Sequence, residues 1–337
     1  MTENSAQPGL LDVVVIGGGA AGLSAALTLA RARRSVVVVD DGTPRNARAS
    51  GVHGFLSRDG IDPRELLDLG RDEVRRYGGV VLDGRVDDVR RGGPVRAAIP
   101  ESGAATPAPT FEVVLGDTRI LQCRRVLVAS GLADELPDVE GLAERFGRDV
   151  VHCPYCHGWE VRERPIAVLG TTPFAVHQAL LFSQWSDEVA LVVSDPAAAP
   201  SPAELTRLQA RRIRVVAGRA RRVVVAVDAV TGVELDSGEV VPAAAIAVTT
   251  STRARSSLVD ALGVEVAAHP VSGAPRIIAD PMGRTSVPGV WAAGNVVDPM
   301  LQVVAAAAAG VGAAAMLNMD LIEEETDAAV AALAARA

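Results

Sequence analysis

A chain of 337 residues is long enough for two domains with separate cores. Hydrophobic residues make up 49% of it and aromatics only 3%, so those cores must be built from Val, Ala, Leu and Ile, as buried parallel sheets are. A net charge of −8 and a pI near 5.3 argue against nucleic acid or an anionic membrane as partner.

Residues 1–11 lack a basic region followed by an apolar stretch, so no signal peptide is expected. Three cysteines, one of them far from the others, fit a reducing cytoplasm better than a secreted disulfide scaffold. An apolar strand is expected at 13–16. It runs into GGGAAG at 17–22, which opens a helix to about residue 32, and a second strand at 36–39 ends in Asp40 and Asp41. Strand, G-x-G-x-x-G, helix, strand and acid form a dinucleotide-binding unit. Gly17 makes the tight turn, Gly19 admits a pyrophosphate to the backbone and Gly22 lets helix pack on strand. Asp40 or Asp41 can accept ribose hydroxyls. Meandering strands are expected over 81–114, with a loose loop at 103–109. The stretch 125–131 reads as a strand ending in a small turn at Ser130 and Gly131.

In mid-chain stands Cys153-Pro154-Tyr155-Cys156, bracketed by His152 and His157. Proline suits the first helical turn, where its missing N–H costs nothing. Cys153 then sits at the helix N-terminus, where backbone N–H groups favour a thiolate. Cys153 reads as the outward, exchanging sulfur and Cys156 as its buried partner, with the histidines able to move protons. Zinc would want four ligands, and a second C-x-x-C is absent, so no metal is expected. A structural disulfide in so short a ring would constrain little chain. A second strand–turn–helix unit starts at 165–169, with further strands at 189–193, 213–216 and 223–227. After PGVWAAGN at 288–295, the run 301–317 reads as a buried helix, too short and weakly apolar to span a bilayer. His177 is expected at the surface, and Trp159, Trp185 and Trp291 in packing.

Together GGGAAG, the central C-x-x-C and TSVPGVWAAGNVVD at 285–298 resemble the low-molecular-weight thioredoxin reductases over nearly the whole chain. The resemblance implies an α/β fold of two Rossmann-like, three-layer domains. Residues 1–134 and 249–325 would form a discontinuous FAD domain and 135–248 a central domain carrying the C-x-x-C, with 326–337 a tail. Gly17, Gly19, Ala20, Ala21, Gly22 and Asp40, with Asp41 beside it, would hold the ADP half of FAD. Gly294 and Asn295 would meet the ribityl and pyrophosphate, and Gln302 and Val303 would lie by the isoalloxazine. Arg45 and Asn46 resemble further FAD contacts, and His53 in their loop, with Ser130 and Gly131, joins this set, His53 reading equally as a packed loop histidine.

Three departures from the family pattern stand out. Asn295 replaces an acid but still offers an acceptor. His157 replaces the aspartate that follows the family's C-x-x-C, and imidazole would take over its proton transfer. The NADPH motif G-x-G-x-x-A reads Gly170-Thr171-Thr172-Pro173-Phe174-Ala175, and the segment that should carry phosphate-binding arginines reads Ser194-Asp195-Pro196. Thr172 and Pro173 obstruct a pyrophosphate and Asp195 repels a phosphate. This pattern resembles the narrower group of FAD-dependent dithiol oxidases of disulfide natural-product pathways, of gliotoxin and holomycin type. Their C-P-[aromatic]-C-H-G matches residues 153–158. The resemblance implies a small-molecule dithiol as substrate, His157 or His152 as base, oxygen as electron acceptor, hydrogen peroxide as product and a homodimer. The alternatives are a reductase of protein disulfides fed by NADPH or ferredoxin, and a flavin-bound redox sensor without turnover.

Overall fold

The apolar segment at the start forms β1 (Leu11–Ile16), followed by α1 (Ala20–Arg31) and β2 (Val36–Asp40). The computed structural model describes residues 9–92, 110–254 and 261–336. The loop expected at 103–109 lies outside them. The chain divides into two units. The first comprises Met1–Arg45, Arg64–Ala133 and Arg253–Ala337, and the second Asn46–Pro63 and Asp134–Thr252. Residues 46–63, taken with the first unit in the sequence-based division, group with the second.

In unit 1, β1 pairs in parallel with β2 and with β6 (Ile120–Val128), and β2 pairs with β3 (Val80–Asp83). A late strand, Val290–Ala292, joins β6 in parallel. The antiparallel strands β4 (Val86–Arg91) and β5 (Phe111–Leu115) extend the other flank. Strands buried on both faces need apolar residues at every position. Val14 and Ile16 of β1 accordingly enter one core with Val37 and Val39, while Val13 and Val15 enter another with Val36, Val38 and α1.

The long C-terminal helix, here α7 (Val303–Ala334), covers that second face. At 32 residues it is long and apolar enough to cross a membrane by length and composition, which corrects the expectation drawn from residues 301–317 alone. Its buried stripe, Ala306, Gly310, Ala313, Ala314, Leu317 and Leu321, follows helical spacing and enters the core with α1. Its later turns carry acids paired with arginines of unit 1: Asp320 and Glu324 with Arg125, both at 2.6 Å, and Glu325 with Arg124 at 2.6 Å.

Unit 2 repeats the plan. A parallel sheet runs in the order Arg214–Ala217, Val189–Val193, Ile166–Gly170, Ala245–Val248, Val150–Val151. One face carries α5 (Phe174–Phe182) and α6 (Pro202–Ala210), and a core of Ile166, Val168, Ala179, Phe182 and Leu208. The other meets a three-stranded antiparallel sheet, whose Val223, Val233 and Val241 pack with Ala167 and Leu169. Trp291 is buried as expected. Trp159 is 64% exposed and does not serve the core, a correction that no local pattern signalled.

Candidate functional site

The glycine turn of unit 1 is built around contacts that exclude side chains. Gly17 has φ +104°, and a Cβ there would lie 2.5 Å from the Ala129 carbonyl oxygen. At Gly22 a Cβ would lie 1.9 Å from the Gly17 oxygen, so helix and strand close only on glycine. Gly19 differs. Its φ of −77° suits any residue, and a Cβ there would meet nothing within 4 Å. The glycine at this point keeps space open in front of the helix N-terminus, where a pyrophosphate would lie. Ala20 and Ala21 form the first turn of α1.

Next to this turn, the Ser130 hydroxyl is buried with no hydrogen-bonding partner among the described residues. Gly131 follows at φ +66°. Gly294, at φ +80°, sits where a Cβ would lie 2.7 Å from that of Ala21. The Asn295 amide donates to the Asp298 and Leu301 carbonyls, both at 3.1 Å, which leaves its oxygen as acceptor. Gln302 is the N-cap residue of α7, with Val303 in its first turn. Arg45 donates to the Pro299 carbonyl at 3.0 Å, tying it to the same loop. Open space at Gly19, the orphaned Ser130 hydroxyl and two close-packed helix N-termini fit the ADP and ribityl portions of FAD.

Asp40 has a second duty that the motif alone does not disclose. One carboxylate oxygen accepts from the Gly18 N–H at 3.0 Å and the other from Arg71, which also pairs with Asp83. The acid thus braces the glycine turn from below. Asp41 accepts from the Thr43 N–H and hydroxyl, closing a local turn.

The C-x-x-C pair lies in unit 2. Cys153 is the N-cap residue of α4 (Pro154–His157), with Pro154 in the first turn as the sequence predicts. Both cysteines are half-buried, so the expected contrast between an outward and a buried sulfur is not seen in their exposure. Their sulfurs stand 2.9 Å apart, the Cys156 thiol donating to Cys153 Sγ, a short movement from a disulfide. Gly158 is obligatory: a Cβ there would lie 2.5 Å from the Pro154 oxygen and 2.6 Å from the Trp185 ring. The third cysteine, Cys123, is fully buried in β6, which pushes its thiol up to about 12 and keeps it inert.

The two histidines differ. His152 Nδ1 lies 3.0 Å from the Val248 carbonyl, which can only accept, so Nδ1 carries the proton and Nε2 is the basic nitrogen. Gln178, 1% exposed, fixes the same corner by donating to the His152 carbonyl at 2.8 Å. His157 is mostly buried, and neither ring nitrogen has a hydrogen-bonding partner among the described residues. Burial holds its imidazole below the ordinary histidine value, opposed by the nearby Glu160 carboxylate. A neutral imidazole without a committed partner, four residues from Cys153, suits a base that takes a thiol proton.

His53 is in the second unit, its ring set between Asp59 and Glu160 at 3.4 Å each. Asn46, whose carbonyl accepts from the Ala49 N–H, is in the same segment. Sequence reasoning had grouped both with the cofactor. It missed Asp59, which closes a local turn on Gly54 and His53, and Glu160 and Gln178, whose roles depend on contacts between distant segments.

The second glycine turn keeps the Rossmann strand and helix with different residues in the loop between them. Gly170 ends its strand, and Pro173, lacking an N–H, occupies the N-cap of α5. The Asp195 carboxylate caps its own turn by accepting from the Ala197 N–H at 2.8 Å. Ala198 is fully buried, and a Cβ on Gly170 would lie 3.1 Å from it. The Ser194 hydroxyl accepts from the Ala220 N–H at 3.0 Å. No arginine stands in this segment.

Residues 11–310 match the pyridine nucleotide-disulphide oxidoreductase family, and the chain belongs to it. Within that family it is a thioredoxin reductase-like oxidoreductase that binds FAD. Its fold is similar to the crystal structure of HlmI, with a TM-score of 0.88 and 47% identity over 98% of each chain. Thioredoxin reductase tcpT of Claviceps purpurea (strain 20.1) is 31% identical over 301 residues, 85% of this chain and 86% of that one. Thioredoxin reductase sirT of Leptosphaeria maculans is 28% identical over 331 residues, 94% and 95% of the two chains.

Proposed function

We propose that this protein is an oxidase that closes an intramolecular disulfide in a small-molecule dithiol and passes the electrons to oxygen, giving hydrogen peroxide. What carries the reading is a cysteine pair flanked by two histidines, on a scaffold whose second dinucleotide turn has Thr172 and Pro173 within its glycine pattern and Asp195 where phosphate-binding arginines would stand. A substrate thiol gives its proton to His157, or to Nε2 of His152. Its thiolate attacks Cys153 Sγ of the oxidised pair, the Cys153–Cys156 bond breaks, and Cys156 leaves as thiolate. The second substrate thiol, once deprotonated, attacks the substrate sulfur of the mixed disulfide. Cys153 leaves as thiolate, and the substrate has lost two electrons and two protons. FAD, when bound, supplies the two-electron acceptor that reoxidises the pair and is itself reoxidised by oxygen. Gly17, Gly19, Gly22, Ser130, Gly131, Gly294 and Asn295 would hold it.

A homodimer is part of the proposal. Val304, Val311, Met319 and Ile322 of α7 present exposed apolar side chains of the kind a second copy would cover. The test is turnover of purified protein with a small dithiol and no nicotinamide, following oxygen uptake and peroxide. Equal yields of disulfide and peroxide support the oxidase. Turnover only with NADPH or reduced ferredoxin, and a protein disulfide as substrate, would replace it with a reductase, the activity for which tcpT and sirT are named. A protein that binds FAD and turns over neither would be a sensor.

A further inference from the structure

We propose that Glu160, held in place by His53, is a positioning residue that governs whether His157 can keep a proton taken from a thiol. The inference rests on reading Cys153 and Cys156 as the redox pair. Backbone bonds from the His157 N–H to the Cys153 oxygen (3.1 Å), from Gly158 to Pro154 (2.7 Å) and from Val161 to His157 (3.3 Å) carry the helical turn beyond α4. At about 3.6 residues per turn, positions 153, 157 and 160 fall on one side of this turn. Tyr155, Trp159 and Arg162 fall on the other, with Tyr155 and Trp159 exposed and the Arg162 guanidinium 4.0 Å from the Trp159 ring centre. Cysteine, imidazole and carboxylate therefore share the chemical side.

Glu160 would reach into water if nothing restrained it. His53 restrains it. Its Nε2 lies 3.4 Å from a Glu160 carboxylate oxygen, and its Nδ1 lies 3.4 Å from Asp59. Asp59 in turn accepts from the Gly54 N–H at 2.8 Å. The ring thus bridges the two carboxylates, one at each nitrogen. The loop that carries His53 is itself pinned, by the Val52 N–H to the Ile61 oxygen and the Gly60 N–H to the Val52 oxygen, both at 2.8 Å.

The charged and titratable groups that act on His157 are Glu160, His53 and His152, with the Cys153 carbonyl a weaker influence outside hydrogen-bonding geometry. Burial and the two other histidines oppose a positive charge on the ring. Glu160 is the carboxylate that favours it. A thiol proton moves to the imidazole, leaving thiolate and imidazolium, and the pair forms at a lower pH when the carboxylate stays close.

The experiment follows alkylation of Cys153 by iodoacetamide against pH, in FAD-loaded protein carrying Cys156→Ser, with the adduct counted by mass spectrometry. Glu160→Gln should move the onset of reactivity up by about half a pH unit or more, roughly a threefold slower rate at neutral pH. Glu160→Asp should restore part of it. His53→Asn should move the onset the same way by less, because the Glu160 carboxylate itself stays in place. If the Cys156→Ser background does not fold, the reduced wild-type pair is alkylated instead and the site located by tandem mass spectrometry. Profiles that overlay the parent's, with only thermal stability altered, would overturn the inference. The assay uses neither a dithiol substrate nor oxygen. An unshifted profile therefore refutes this role with the oxidase reading intact, and absent turnover with a shifted profile refutes the oxidase alone.

Discussion

Gly19→Val separates cofactor contact from protein packing at the first glycine turn. Gly19 has φ −77° and ψ −174°, a conformation open to any residue, and a side chain there would point into empty space. Restricting the unfolded chain at such a position contributes about 0.4–1 kcal/mol in the favourable direction, offset by a comparable cost of about 1 kcal/mol for valine at the N-cap of α1. The apoprotein should therefore fold and melt close to the parent temperature. The side chain would instead fill the volume where a pyrophosphate must approach the backbone N–H groups. Hydrogen bonds to a charged group contribute about 1.5–3 kcal/mol each. Losing two should weaken FAD by about 3–6 kcal/mol, roughly a hundredfold to ten-thousandfold. Gly22→Ala is the contrast: its Cβ would lie 1.9 Å from the Gly17 oxygen, so the fold itself should suffer. Circular dichroism melts of the apoproteins and FAD titration by flavin fluorescence read the two effects. A Gly19→Val protein that purifies folded and fully yellow would refute this placement of the cofactor.

Cys156→Ser should accumulate a mixed disulfide between Cys153 and substrate, whereas Cys153→Ser should accumulate none. Mass spectrometry after substrate exposure decides, and an adduct on Cys156 would reverse the roles. Gly310→Ala would place a Cβ 2.0 Å from the Ala21 oxygen and should lower stability by about 1–3 kcal/mol through overpacking of α1 against α7, read by urea unfolding. Burial holds His157 below its unfolded value of 6.5, so the unfolded chain binds the extra proton more readily. Stability should then be unaffected well above pH 6.5 and fall as pH drops through 6.5 toward the lower folded value. His157→Gln should remove that part of the slope, and an unchanged slope would mean the ring protonates freely in the folded protein.

Local pattern made the nucleotide unit and the redox turn legible. Strand, glycine turn and helix at 11–31 follow a residue pattern contained within the segment, and Pro154 marks the first turn of α4 from composition alone. What stayed hidden depends on partners far along the chain. Asp40 meets Arg71 from α2 (Pro63–Arg76), and Glu160 meets His53 from a loop of the same unit, pairings that no spacing rule encodes. Sequence showed α7 only in pieces, a buried helix at 301–317 and a helical or frayed tail at the end, because its later turns mix alanine with acids. Those acids are placed by Arg124 and Arg125 on β6, not by the periodicity of the helix. Exposure of Trp159 was equally out of reach, since its ring is covered on one face by Arg162 and not by a core.

Anaerobic stopped flow of the FAD-loaded protein tests the central claim most directly. Mixed with a small dithiol, the flavin should bleach, and oxygen readmitted afterwards should restore the yellow colour and yield peroxide equal to the disulfide formed. NADPH or NADH at millimolar concentration should leave the flavin oxidised. Rapid bleaching by NADPH, with a dithiol inert, would contradict the account.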